Sequence, residues 1–200
     1  HLEKEGLREN TIFIFQSDHG HSVEERTFGG GGSAGPYRGH KGNLFEGGIR
    51  VPSVVSWPAK IPQGEVRSQF VTGTDWWPTL AEWTGAVIPK GHKLDGKSMA
   101  GLVADGKLKS PHESYYWQLG NKHGQWVMRK GEWKLYAKAR ENVRPKGITE
   151  MTQEDKKFFL VNLKEDPGEK QNLAKEFPDR IESLVQMARD KQTCLERSKK

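Results

Sequence analysis

The sequence contains a single cysteine, Cys194, so no disulfide can form within it and cysteine usage says nothing about the redox compartment. It also lacks any apolar run approaching the ~20 residues that a membrane-spanning helix needs. No signal peptide is visible, because residues 1–5 are largely charged and indicate the end of a helix inside a longer polypeptide. No Asn-x-Ser/Thr acceptor occurs, which argues weakly against a glycosylated product.

Charge of neither sign dominates the chain. The formal net charge is +6 over 200 residues, and no dense basic run stands out. This mild excess favours anionic partners, among them nucleic acid and sulfated or phosphorylated small molecules. No recognised nucleic-acid-binding module is present, so nucleic acid is the poorest of these choices. Seven Trp, eight Phe and four Tyr supply enough apolar surface for a core in one or two domains.

The first part of the chain has the pattern of an α/β domain. Residues 11–15 are apolar and rich in β-formers, and polar residues follow them directly, which is typical of a parallel strand buried on both faces. Side chains just after such a strand lie where open α/β sheets bind ligands. Residues 21–46 form a long Gly- and Ser-rich segment that predicts a functional or disordered loop. A second buried strand is predicted over 51–57.

The later pattern predicts a different architecture. Asp75 and Gly85 have the residue types of an N-cap and a C-terminal glycine, so a helix is predicted between them. Strands are predicted over 114–118, 125–129, 132–136 and 158–163. Pro178 opens a further helix with one apolar face. We therefore predict an α/β domain over 1–105 and a small α+β domain over 106–200.

Several short motifs occur together along almost the whole chain. The most specific is Lys-Gly-x-x-x-Glu-Gly-Gly-x-Arg, within residues 39–52. The others are weak singly and strong together: residues 17–20, 57–58, 74–80, 94–99, 131–135 and 162–169. On these motifs the chain resembles the type I sulfatases of the alkaline phosphatase-like superfamily, and the motifs occur in that family's order.

The resemblance implies both a fold and an activity. The fold would be the C-terminal part of a doubly wound α/β sheet, followed by a small antiparallel sheet with a packed C-terminal helix. The activity would be hydrolysis of sulfate esters with a divalent metal, calcium or alternatively magnesium, and a formylglycine nucleophile. A periplasmic or secreted location is favoured by the family alone.

Two features depart from the family's pattern. The signature Cys/Ser-x-Pro-x-Arg, whose first residue becomes formylglycine, is absent, and the sequence after Cys194 does not match it. The paired N-terminal aspartates that bind metal are absent as well. We therefore expect the chain to represent the C-terminal half of such an enzyme and to be inactive alone, with a Cys- or Ser-derived nucleophile elsewhere. In addition, His19 stands where many members have Asn.

The resemblance assigns the metal site and part of the catalytic site. Asp18 and His19 are the expected metal ligands, against the plainer interpretations of a turn aspartate and an ordered histidine without a metal bond. Calcium prefers oxygen ligands, so a histidine suits other divalent ions better. Lys41 is the expected sulfate contact, since an ammonium group suits an oxyanion, and it is assigned to catalysis with His19. His21 and His40 are weaker candidates for assisting the leaving group.

Substrate binding is expected from the first antiparallel strand of the small domain. Trp117, Gln118 and His123 are the candidates, because aromatic rings beside basic groups suit a sulfated sugar, although core packing explains such residues equally well.

Glu46 and Arg50 are expected to pair structurally near the site. The glycines of 29–32 lack the end of a phosphate-binding P-loop and are expected to form a flexible rim.

Three classes of function remain open at this point. The first is a sulfatase acting on a sulfated carbohydrate or other sulfated small molecule. The second is a phosphonate or phosphodiester hydrolase of the same superfamily. The third is a non-catalytic fragment that binds anionic glycans. Neither the position of the ester nor the oligomeric state can be inferred.

Overall fold

The computed structural model of the chain describes residues 1–121, 124–141 and 150–197. Its strands are β1 (Phe13–Gln16), β2 (Ser53–Ser56), β3 (Ser114–Leu119), β4 (Gln125–Lys130), β5 (Trp133–Ala137) and β6 (Phe158–Asn162). Its α-helices are α1 (Glu46–Ile49), α2 (Trp76–Thr84), α3 (Ala100–Ala104), α4 (Gln153–Lys157) and α5 (Pro178–Arg197). No helix among the described residues has the length and apolar character needed to cross a membrane.

The chain divides into two compact units, and each contains a sheet. The first unit comprises residues 1–15 and 53–113, and the second comprises 16–52 and 114–200. β1 pairs with β2, and β3 to β6 form a four-stranded sheet in sequence order. The structure confirms the expected mixture of α-helices and β-strands. The division at residue 105 stays a prediction.

The prediction that the first two strands are buried is wrong. Strands form at the predicted places, but Phe13 and Phe15 are 53% and 64% exposed, and Val54 in β2 is 56% exposed. In the described part of the chain β1 and β2 pair only with each other. A two-stranded sheet has too few neighbouring layers to cover both faces, so its apolar side chains remain accessible.

In the first unit, Asp75 joins three separate segments. Its carboxylate accepts hydrogen bonds from the backbone N–H of Thr72 (2.7 Å) and of Lys97 (2.8 Å). It also contacts His112 Nε2 at 2.8 Å. The residue precedes α2 as predicted, but its side chain makes no capping bond to that helix. Gly85 ends α2 in the left-handed conformation, as predicted.

The second unit is built around the antiparallel sheet of β3 to β6. The registers pair Trp117 with Val127, Val127 with Tyr136, and Tyr136 with Phe159, so these side chains share one face of the sheet. We call it the motif face, because Phe45 of the Lys-Gly-x-x-x-Glu-Gly-Gly-x-Arg segment packs on it.

The opposite face of this sheet carries the C-terminal helix. Met128, Leu135 and Leu160 of the sheet pack with Leu184 and Ala188 of α5. Both helix residues are buried, as their spacing of four positions predicts for one face of a helix. The expected small antiparallel sheet and its packed C-terminal helix, which begins at Pro178, are confirmed.

Candidate active site

The Asp18–Gly20 turn follows β1 and is tied to the motif segment by backbone hydrogen bonds. Ser17 N–H donates to Pro52 O at 3.3 Å, and Gly20 N–H donates to Gly48 O at 3.0 Å. The Ser17 hydroxyl donates to His19 O at 2.7 Å. These bonds fix the backbone of the turn while leaving the Asp18 side chain 83% exposed.

The glycines at this contact are required by close approach of two backbones. A Cβ atom on Gly20 would lie 1.9 Å from Gly47 O, and one on Gly47 would lie 2.4 Å from Gly39 O. A Cβ on Gly48 would lie 2.3 Å from Asn43 O and 2.6 Å from His40 O. Any side chain at these positions would push the turn and the motif segment apart.

Asp18 and His19 present two donor atoms side by side. His19 Nδ1 lies 2.7 Å from Gly20 O, and because a carbonyl only accepts, Nδ1 carries the hydrogen. When the ring is neutral, Nε2 therefore holds the lone pair, and it lies 3.3 Å from Asp18 Oδ2. Two ligands about 2.3 Å from one cation and at right angles to each other would be separated by about this distance. A carbonyl holding the second ring nitrogen is also the usual arrangement for a histidine ligand.

The pair fits a divalent cation but does not complete a coordination shell. No group of three or more His, Cys, Asp or Glu side chains able to hold a metal is found in the described ranges. A calcium ion takes roughly 6–8 oxygen ligands. Further ligands would have to come from other residues or from water.

Lys41 lies on the loop beside this turn. Its backbone N–H donates to His21 O at 3.0 Å, which links the loop to the residue that follows the turn. Its Nζ is 3.5 Å from a carboxylate oxygen of Glu24, and its side chain is 28% exposed. Arg26 hydrogen-bonds Glu24 and, together with the charge of Lys41, holds the pKa of Glu24 below its usual range. The sequence did not indicate Glu24 as this counter-ion.

Two histidines next to Lys41 have ring nitrogens without hydrogen-bond partners. His21 and His40 meet edge to face with ring centroids 6.3 Å apart. The buried atoms His21 Nδ1 and His40 Nε2 find no partner among the described residues, and neither does the amide of Asn43. Buried polar atoms are nearly always satisfied by protein or water. The unpartnered ring nitrogens make these two histidines candidate polar contacts for water or substrate.

Behind the loop lies a buried group of ionisable side chains that we call the charge cluster: Glu46, Lys134, Tyr136 and Glu169. Lys134 Nζ is 2.7 Å from Glu46 Oε1 and 3.2 Å from Glu169 Oε1. Lys134 and Glu169 are completely buried, and Glu46 is 4% exposed at its side chain. Arg50 lies 3.7 Å from Glu46, which confirms the expected pairing of these two residues.

The two carboxyl groups of the charge cluster have pKa values displaced in opposite directions. Burial and the charge of Glu46 raise the pKa of Glu169, in spite of Lys134. Burial opposes ionisation of Glu46 as well, but the charge and hydrogen bond of Lys134 hold its pKa below the usual range. Burial raises the pKa of Tyr136 well above its usual value. One buried lysine thus lowers the pKa of Glu46, while at Glu169 burial outweighs the same lysine and the pKa is raised.

The substrate residues expected on β3 alternate between the two faces of the sheet. Trp117 is half-buried on the motif face, and its ring centroid lies 4.6 Å from that of Tyr115. Gln118 points to the opposite face, where its amide donates to Asn121 O at 2.7 Å and accepts from Tyr116. His123 lies outside the described residues. Of the two described residues, only Trp117 is on the face that packs against the motif segment.

Comparison with known proteins places the chain in a family. Residues 1–86 match the family model described as Sulfatase. The steryl-sulfatase of Rattus norvegicus is 42% identical over 115 residues, which covers 56% of this chain and 20% of the relative. Human arylsulfatase A is 31% identical over 197 residues, covering 91% of this chain and 38% of the relative. The chain belongs to the sulfatase family.

A solved structure supports this membership beyond residue 86. A Bacteroides thetaiotaomicron protein, described in connection with the metabolism of multiple glycosaminoglycans, matches with a TM-score of 0.73 and 28% identity. The match covers 96% of this chain and 41% of that protein. The chain thus spans about a fifth to two-fifths of the length of these sulfatases.

Proposed function

We propose that this chain forms part of a sulfuric ester hydrolase and contributes one side of its active site. The observation that carries the proposal is the continuous backbone scaffold joining the Asp18–Gly20 turn to the loop of Lys41. Gly20 bonds to Gly48, and Lys41 bonds to His21. A pair of cation ligands and an ammonium group are thereby held on one rigid support, as cleavage of an anionic ester requires.

Each residue has a distinct task in this proposal. Asp18 and His19 hold a divalent cation, calcium or alternatively magnesium, which polarises the ester when bound. Lys41 neutralises negative charge on the sulfuryl oxygens, and a bound sulfate replaces Glu24 as its counter-ion. His21 or His40, each of which has a buried ring nitrogen without a partner among the described residues, donates a proton to the leaving alcohol.

The nucleophile belongs to sequence outside these 200 residues in this proposal. The signature Cys/Ser-x-Pro-x-Arg does not occur in the chain, and family membership implies a formylglycine, which supplies an activated hydroxyl for attack on sulfur. The fold proposed for the whole protein is the family's doubly wound sheet, in which helices packed on the sheet would cover Phe13 and Phe15. The chain alone is then expected to be inactive.

The proposed substrate is a sulfated carbohydrate. The solved relative described with glycosaminoglycan metabolism supports this choice, as does the aromatic pair of Tyr115 and Trp117 on the motif face, since rings of this kind stack on sugars. Gln118 and His123 stay predictions as substrate contacts. A steryl sulfate is the second candidate, because residues of this chain are 42% identical to the rat steryl-sulfatase.

A substrate panel tests the proposal. The complete protein would be assayed with added calcium or magnesium on an aryl sulfate, a sulfated disaccharide, a steryl sulfate and a phosphonate monoester. We expect metal-dependent release of sulfate, with the disaccharide preferred over the sterol. Turnover of the phosphonate alone would identify the alternative hydrolase. Binding of heparin without turnover of any ester would support a non-catalytic glycan-binding role.

A further inference from the structure

The carboxyl group of Glu169 contacts the first residue of the helix that carries the Glu-Gly-Gly motif. Its Oε2 accepts a hydrogen bond from the backbone N–H of Glu46 at 2.6 Å, which satisfies one of the free donors at the beginning of α1. Its Oε1 contacts Lys134 Nζ at 3.2 Å. Glu169 is 123 residues from Glu46 in sequence, so this contact ties the motif to a distant segment.

The Tyr136 hydroxyl can hydrogen-bond at this contact in two ways, depending on the protonation of Glu169. Its hydroxyl hydrogen bonds to Glu169 Oε1, and the same oxygen lies 3.2 Å from Leu44 O. A hydroxyl has one hydrogen to donate. When Glu169 is ionised, the Tyr136 hydroxyl donates its hydrogen to the carboxylate. When Glu169 is protonated, its carboxyl group donates to the Tyr136 oxygen, and the Tyr136 hydroxyl donates to Leu44 O. Both states keep the motif segment bonded to the sheet.

The backbone carbonyl of Glu169 accepts a hydrogen bond from Arg38, at the start of the segment that leads to Glu46. Arg38 donates from Nη1 to Glu169 O at 2.9 Å and forms two bonds of 2.7 Å with the carboxylate of Glu141. Arg38 is 1% exposed. Glu169 has a positive φ of 52°, a conformation that a non-glycine residue adopts at a cost and that neighbouring contacts must maintain.

Both ends of the segment of residues 38–46 are therefore bonded to Glu169, and Lys41 lies between these two ends. We propose that Glu169 is a positioning residue for Lys41, acting through the backbone of this segment and together with Tyr136. This inference rests on the proposed function, because it assigns Glu169 to the site in which Lys41 contacts sulfate. Glu169 does not touch the substrate.

Hydrogen exchange tests the positioning without reference to activity. Glu169→Met keeps an unbranched side chain of similar length but removes both carboxyl oxygens, and Tyr136→Phe removes only the hydroxyl. In Glu169→Met we expect the amides of Lys41, Gly47 and Gly48 to exchange at least about tenfold faster, because each donates to a carbonyl of this scaffold. The amides of β4 should keep their protection. Tyr136→Phe should show the same pattern with a smaller change.

Kinetics of the complete protein then separate positioning from general destabilisation. The control is Leu160→Ala, which removes a buried side chain from the opposite face of the sheet. Well below the unfolding midpoints, Glu169→Met should lower kcat by about tenfold to a hundredfold with little change in KM for the metal-loaded enzyme. Leu160→Ala should leave kcat close to that of the unaltered protein.

The outcomes distinguish this inference from the proposed function. Unchanged exchange at Lys41, Gly47 and Gly48 in both variants overturns the positioning role. So does an equal fall in kcat for Glu169→Met and Leu160→Ala. A complete protein without sulfatase activity overturns the proposed function, while local loss of protection would still support the role of Glu169 in holding the segment.

Discussion

The proposed metal ligand Asp18 and the proposed sulfate contact Lys41 reach solvent, whereas the charge cluster behind them is buried. Asp18 is 83% exposed and Lys41 is 28% exposed at the side chain, whereas Lys134 and Glu169 of the charge cluster are completely buried. The exposed groups have few partners within the chain and can bind a ligand. The buried groups have their partners already, and removing one would leave another uncompensated. This contrast separates variants that should affect function from those that should affect stability.

Lys134→Met should give the largest loss of stability. Breaking a buried ion pair costs about 3–5 kcal/mol, because an uncompensated charge is left behind, and here two carboxyl groups lose the same cation. The control is Lys130→Met, since Lys130 is exposed on the neighbouring strand. Urea unfolding of both variants measures the difference. Equal midpoints would show that the charge cluster contributes little to folding.

Gly48→Ala should be the next most harmful change. The added Cβ would lie 2.3 Å from Asn43 O and 2.6 Å from His40 O, and such crowding typically costs about 1–3 kcal/mol. Gly31→Ala is the matched control, because a Cβ there meets no atom within 4 Å. Thermal unfolding compares the two. Similar midpoints would contradict the close approach of the two backbones.

The pH dependence of stability should depend on Glu169. Its pKa is raised in the folded state, so the stability it contributes is present below the ordinary Glu pKa and is lost as the pH rises through the raised value. Each pKa unit corresponds to about 1.4 kcal/mol. Glu46, Lys134, Tyr136, Arg38 and Arg129 are the charged or titratable groups around it.

Glu169→Gln is the variant that measures this effect. The free energy of unfolding of the unaltered protein, minus that of the variant, should fall over the pH range above the ordinary Glu pKa of 4.5. Lys134 and Glu46 are present in both proteins. A difference that stays constant or grows over this range would contradict a raised pKa for Glu169.

Asp18→Ala should have the smallest effect on folding and a large effect on activity. Surface substitutions usually change stability by no more than about 0.5 kcal/mol, and the exposed contact of Asp18 with His19 contributes little. Loss of a metal ligand should nevertheless lower activity of the complete protein by about a hundredfold or more, since a cation stabilises the transition state by several kcal/mol. A metal-dependent protein that keeps full activity in this variant would exclude Asp18 as a ligand.

Local patterns in the sequence predict one unit of this molecule better than the other. The strand-forming runs at 125–129 and 132–136 and the apolar face of α5 were sufficient to predict the antiparallel sheet and its helix, because both faces of the sheet are covered by residues of the same chain. The pattern of residues 11–15 predicted burial that the structure does not have, because burial depends on what covers a strand, and periodicity does not report this.

The residues of the candidate site also divide into those that the sequence predicts and those that it does not. Asp18, His19 and Lys41 could be proposed from motifs, since their residue types are tied to the chemistry. Glu24 could not, and the motif at residues 162–169 ends on Glu169 without indicating its partners, because a single sequence carries no signal for contacts within a loop or between distant residues. The burial of Lys134 with an acidic partner could have been predicted. Lys134 is the second residue of β5 and lies on the motif face, where a lysine needs a buried partner.

The rate of sulfate ester hydrolysis by Lys41→Ala, compared with Lys60→Ala in the complete protein, tests the central claim most directly. Lys60 is an exposed lysine of the other unit and serves as the control. One charge-assisted contact in a desolvated site is worth about 1.5–3 kcal/mol or more, so kcat/KM of Lys41→Ala should fall by at least about tenfold to a hundredfold. Lys60→Ala should retain the rate of the unaltered enzyme. Equal rates for the two variants would contradict the role of Lys41 as the sulfate contact.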